Sequence, residues 1–144
     1  MTDTPGGYPP PSVPGDTDAG RLSGLRTLTH VLYALYALHW FSGGITSVIA
    51  VIVNYVKRDD AAGTPYAAHF EWQIRTFWRT LIAYAIGVAL ILTVIGIVVS
   101  PTILLPVVLG GMVMFVTSLW TLYRIIKGWL YLYDNKALDP RAWF

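Results

Sequence analysis

Charged side chains are missing from two long stretches of this chain, residues 27–56 and residues 80–123, and apolar residues fill both. A helix needs about 20 apolar residues to cross the hydrocarbon core of a bilayer. The first stretch therefore predicts one span, at about residues 28–56. The second predicts two, at about 77–99 and 103–123, separated by Ser100-Pro101-Thr102. The helix of a soluble core would rarely run so far without a charge. Between the stretches, Gly63-Thr64-Pro65 marks a helix start: Thr64 can cap, and Pro65 fits the first helical position. From there Tyr66, Phe70, Ile74, Phe77 and Leu81 recur at helical spacing. Glu71, Arg75 and Arg79 follow one another at i, i+4 and i+8, with the acid ahead of the bases, the better order for such pairs. His69, Gln73, Thr76 and Thr80 form a second, polar stripe, and Trp72 and Trp78 suit a lipid–water interface. Residues 65–76 thus predict an amphipathic interfacial helix that runs into the second span. The expected fold is all-α, an integral membrane protein of about three transmembrane helices plus that interfacial helix, occupying residues 25–138.

The first span is too long for its task. At 1.5 Å per residue, a straight helix from Leu25 to Val56 overshoots a core about 30 Å thick. Gly43-Gly44 sits near its middle, and two glycines weaken a helix by about 2 kcal/mol relative to alanines. The pattern favours a kink there over a re-entrant hairpin, because each half alone is short for a crossing. Gly43, Ser47 and Ala50 put small residues near one face, as do Ala83 with Gly87 and Gly110 with Gly111 later in the chain.

The flanks differ in kind. Residues 1–24 are dominated by Pro, Gly, Asp and Thr and predict a disordered tail, with polyproline character near Tyr8–Pro11. They carry no pattern of a cleavable signal peptide. Residues 124–134 mix aromatics with Arg124 and Lys127, the composition of an interfacial anchor, and residues 139–144 read as a short C-terminal tail.

Charge sets the orientation. The ten Lys and Arg divide into Arg21 and Arg26 in the N-terminal flank, Lys57, Arg58, Arg75 and Arg79 after the first span, and Arg124, Lys127, Lys136 and Arg141 after the last. The Ser100–Thr102 turn has none. The positive-inside rule places the 57–76 loop and the C-terminus in the cytoplasm, in a bacterial inner membrane. A full first span would put the N-terminal flank outside, and a re-entrant one would keep it inside. A net charge of only +2, spread over three places, gives no footprint for nucleic acid.

Candidate chemistry is sparse. With no Cys, thiolate catalysis, disulfides and thiolate metal sites are excluded. His69-Phe70-Glu71 has the H-x-E spacing of zinc deaminases without their cysteine pair. No Ser–His–Asp order, paired carboxylates or phosphate-cradling glycine loop is present, and all eight acidic residues lie outside the expected spans. No catalytic residue, metal or cofactor is expected. His39 stands out, because an ionisable residue inside a charge-free span is a functional candidate. A neutral His bonding to a neighbouring helix is the preferred reading. Asn54, at the end of the same span, is suited to hydrogen bonding. The His69–Gln73–Thr76–Thr80 stripe suits a polar contact between helices or a groove open to water. With Glu71, Arg75, Gly43 and Gly44, these are the candidate functional or interaction residues.

Four short motifs carry a family resemblance: Leu28-Thr29-His30, then Asn54-Tyr55-Val56-Lys57-Arg58-Asp59-Asp60, then His69-Phe70-Glu71-Trp72-Gln73, and the closing Arg124-Ile125-Ile126-Lys127-Gly128. Together they cover roughly residues 25–138. This order resembles that of small bacterial membrane proteins related to the small channel-like subunit of the chloroplast Tic translocon. Glu71 and Trp72 replace the apolar and Asn residues usual in that family's third motif. The resemblance implies a place in a membrane assembly. The expected function is that of a non-enzymatic accessory or scaffold subunit, with the lipid bilayer and another membrane protein or further copies of itself as partners. The alternative is a protomer of an oligomeric channel or transporter lined by His39 and the 69–80 stripe.

Overall fold

The structure, a computed structural model, describes residues 14–93 and 104–144, and within these it contains helices and no strand. Five helices follow in order: α1 (Pro14–Ala37), α2 (Ile45–Val56), α3 (Arg58–Ala61), α4 (Tyr66–Thr93) and α5 (Leu104–Tyr133). The connection at Ser100–Thr102, the last residues of the expected second span and the polyproline segment at Tyr8–Pro11 lie outside the described residues.

The continuous span expected over residues 28–56 is not formed. A 3-10 turn at Leu38–Trp40 follows α1, and Gly43 and Gly44 then adopt φ of +61° and +96°. Those left-handed values would cost an L side chain about 1–2 kcal/mol. The chain doubles back rather than kinking. Asn54 Nδ2 donates to the Tyr36 hydroxyl at 3.2 Å, and the Arg21 guanidinium donates to the Asp60 carbonyl at 2.9 Å. α1 and α2 are therefore an antiparallel hairpin, and α2, with 12 residues, is only about 18 Å long. The less favoured of the two sequence-based options is the one adopted, because long-range polar contacts join the two arms along their length. The same Arg21 contact explains a second difference. Residues 14–24, assigned by composition to a disordered tail, are helical, with Arg21 held by carbonyls in and just beyond short α3.

α4 merges the expected interfacial helix and the start of the second span in one element of 28 residues. Its start follows the sequence signals: Gly63 has φ +74°, and the Tyr66 N–H donates to Thr64 Oγ1 at 3.3 Å. α4 and α5 pack antiparallel over most of their length and are long and apolar enough to cross a membrane. In the most apolar window of each, only 17% of the residues are buried within the protein. The α1–α2 hairpin covers one face of this pair at its polar end. Leu32, Tyr33, Phe70, Trp72, Ile125 and Leu132 form the centre of the core there.

Just past the end of α5, Asn135 takes φ +52° while the Lys136 N–H reaches back to the Tyr131 carbonyl at 2.9 Å. The chain then returns along α5. Residues 139–144, expected to be a tail, pack on the bundle because Arg79 and Arg124 donate to the Ala142 carbonyl and the Trp120 indole N–H donates to the Trp143 carbonyl at 3.1 Å.

Candidate functional site

The buried faces of α4 and α5 repeat in the same way. On α4 they include His69, Gln73, Thr76, Thr80 and Gly87; on α5, Gly110, Thr117, Thr121, Arg124 and Gly128. Steps of three and four along both helices make two straight seams that face each other when the helices cross at a shallow angle. At one end the contact is steric. A Cβ added to Gly110 would lie 2.6 Å from the Gly87 carbonyl oxygen, so only glycine lets the backbones approach so closely. Moving towards the other end, the Tyr84 hydroxyl meets Ser118 Oγ at 2.7 Å, and Thr80 meets Thr121 at 2.7 Å. Thr76 Oγ1 accepts from Arg124 Nε at 2.8 Å.

Arg124 is the centre of the seam, with 0% of its surface exposed. Its guanidinium lies 3.4 Å from the Trp72 ring centroid, and the Trp72 indole N–H donates to the Arg124 backbone carbonyl at 3.1 Å. Nη1 donates to the carbonyls of Ala142 and Trp143. No ion pair among the described residues reaches this cation. Carbonyl dipoles and an aromatic face stand where a carboxylate would be expected.

The α1–α2 hairpin completes the site. Tyr33 OH and His69 Nδ1 share a hydrogen bond at 3.1 Å, and His39 Nδ1 and Ser47 Oγ share one at 2.9 Å. Gly128 leaves room for Tyr33, whose ring carbons would lie 2.8 Å from a Cβ at that position. The amide of Gln73, Asn54 Oδ1 and Arg124 Nη2 are buried without a protein partner. Gln73 and Arg124 both line a cavity of about 10 Å³ with Tyr33, Tyr36 and Thr76, close to the space one water needs. A neighbouring cavity of about 60 Å³ reaches from Tyr36, Thr76 and Thr80 to His39, Ser47 and Tyr84.

Six of the candidate residues read from sequence thus enter one interior: His69, Gln73, Thr76 and Thr80 on α4, and His39 and Asn54 on the hairpin. Glu71 and Arg75 do not join them. They pair with each other on the outer face of α4, each side chain 38% exposed, where such a pair contributes well under about 1 kcal/mol. Gly43 and Gly44 shape the hairpin turn. Among the described residues no three His, Cys, Asp or Glu side chains converge as metal ligands. Sequence reasoning missed Arg124, Trp72, Tyr33 and Tyr36. The Thr117–Thr121–Arg124–Gly128 spacing on α5 matches the α4 stripe and was the signal available for Arg124.

No family model, curated protein or solved structure matches this chain.

Proposed function

We propose that this protein is an accessory or scaffold subunit of a bacterial inner-membrane assembly, inserted by α4 and α5, with the α1–α2 hairpin re-entering from the cytoplasmic side. One observation carries the membrane part of this reading. Because the hairpin returns, Arg21 and Arg26 lie at the same end as Lys57 and Arg58, so all ten Lys and Arg gather at the polar end of the α4–α5 pair. Residues 80–123, which include the opposite end, have no charge at all. That is the asymmetry of the positive-inside rule, and it gives two crossings with both termini in the cytoplasm. The exposed aliphatic side chains along α5, from Leu104 to Leu130, are then solvated by lipid.

The accessory role has its support in the character of the interior. The polar groups of the seam mostly satisfy one another, and the Ser47–His39 pair has no carboxylate on its imidazole among the described residues. Absence of native Cys makes the topology directly testable. Single cysteines at Ser23, Asp59 and Asn135 should all label from the cytoplasmic side, and one at Thr102 from the opposite side. Labelling of Ser23→Cys from the outside would overturn the re-entrant arrangement. Crosslinking in cells followed by identification of the joined proteins tests the role, and a chain that crosslinks to nothing speaks against it.

A second reading, a protomer of an oligomeric channel or transporter, is favoured by the two small cavities that adjoin along Tyr36 and Thr76 between His39 and Gln73. The chain in vesicles should then pass ions or small solutes, with the flux altered by His39→Ala.

A further inference from the structure

The α1–α2 hairpin covers one face of the α4–α5 pair; the other face carries a groove of about 790 Å³. Ile82, Ala83 and Ile86 of α4 and Val116 and Leu119 of α5 form its aliphatic walls, and Trp120 and Phe144 add aromatic ones. Its mouth is different. Arg79 stands there against the Trp143 ring, 4.1 Å from guanidinium carbon to centroid, and Nη1 donates to the Ala142 carbonyl at 3.3 Å. Arg124 donates to that same carbonyl from the interior side. Two guanidinium groups thus converge on one backbone oxygen. The nearest acid along α4, Glu71, is already bound by Arg75, and neither Arg79 nor Arg124 has a carboxylate partner among the described residues.

We infer that this groove binds an anionic phospholipid, with the phosphate at Arg79 and one acyl chain along Ile82, Ala83 and Ile86. The inference rests on the membrane location proposed above and not on the accessory role. The occupant must bring negative charge to the mouth and a flexible aliphatic chain to the walls, and a phospholipid carries both at this separation. Arg79 is the last charged residue before the apolar run of α4, so it lies at the depth of phosphate groups while Ile86, two turns on, lies among acyl chains. A guanidinium also presents the donor geometry that suits phosphate oxygens. A zwitterionic headgroup would bring its own cation towards the two arginines, so net negative charge is selected.

The test is native mass spectrometry of the full chain released from nanodiscs of phosphatidylcholine containing a minor fraction of phosphatidylglycerol. Phosphatidylglycerol should be retained about tenfold above its share of the bilayer. Arg79→Ala should abolish this enrichment, Arg79→Lys should keep part of it, and Arg58→Ala, a distant cation, should leave it intact. Ala83→Trp, which fills the groove and spares both arginines, should also abolish it. Helical content measured by circular dichroism must match wild type in each variant. Equal retention of the two lipids, an equal loss in Arg58→Ala, full retention in Ala83→Trp, or displacement of the lipid by millimolar inorganic phosphate would each overturn the inference. A chain found in the aqueous fraction before reconstitution would instead sink the membrane reading on which it depends.

Discussion

The two ends of the α4–α5 pair solve the same packing problem by opposite means. Around Gly87 and Gly110 two helices meet alone, backbone close to backbone, with the Met114 and Ile91 side chains packed against the glycines and aliphatic residues facing outward. Around Thr76 and Arg124 the same two helices are joined by the α1–α2 hairpin and the returning C-terminal segment, and hydrogen bonds run through an otherwise apolar core. The described part of the apolar end has few polar groups to satisfy, so close packing holds it. The polar end buries a guanidinium, an imidazole, two phenols and two amides, and each buried group needs a partner. The extra elements supply most of them, and the Gln73 amide is left facing the small cavity beside it. The two ends should therefore fail differently when altered.

Arg124→Ala should have the largest effect. It removes a buried cation, leaves Thr76 Oγ1 without its donor and takes one of two donors from each of the Ala142 and Trp143 carbonyls, at a cost of about 3 kcal/mol, and it should loosen residues 139–144. Denaturant-induced loss of helicity in detergent measures the first, and hydrogen exchange at Ala142 and Trp143 the second. Gly110→Val follows, at about 2 kcal/mol, because a branched side chain cannot fit against the Gly87 carbonyl. Here hydrogen exchange should rise near Gly87 while the Trp72 environment, read by fluorescence, stays as in wild type. If both variants disturb Trp72 equally, the two ends are one cooperative unit and the contrast drawn above is wrong.

The smallest effect concerns the hairpin tip. His39 Nδ1 shares a hydrogen bond with Ser47 Oγ at 2.9 Å and so ties the turn to α2. His39→Ala should lower stability by about 1 kcal/mol, read as a drop in thermal stability in detergent. Unchanged thermal stability would show that this imidazole is not part of the packed tip.

Much of this could be read along the chain. The helical character, the start of α4 at Gly63-Thr64-Pro65, the break at Gly43-Gly44 and the polar stripe on α4 are local matters of charge, periodicity and turn chemistry. Arg124 was harder. A cation beside aromatics at the edge of an apolar run reads as a surface anchor, and only the partner seam on α4 shows that it points inward. The tail assignment for residues 14–24 failed for a related reason. Their composition is poor in apolar groups, and what orders this stretch, the Arg21 contact with α3 carbonyls, comes from a part of the chain some 40 residues away.

By itself the amino-acid order determined that charges would be excluded from two long runs, that those runs would be helical, and that the first would be interrupted at its paired glycines. It left open what the interruption does. Left-handed glycines permit both a kink and a full reversal, and the shortness of each half favoured the kink. The tertiary structure decided for reversal because Tyr36 and Asn54, and Arg21 and Asp60, meet only when the arms lie antiparallel. The first of those contacts is buried and the second lies at the surface, and together, made across long separations, they outweigh the local preference.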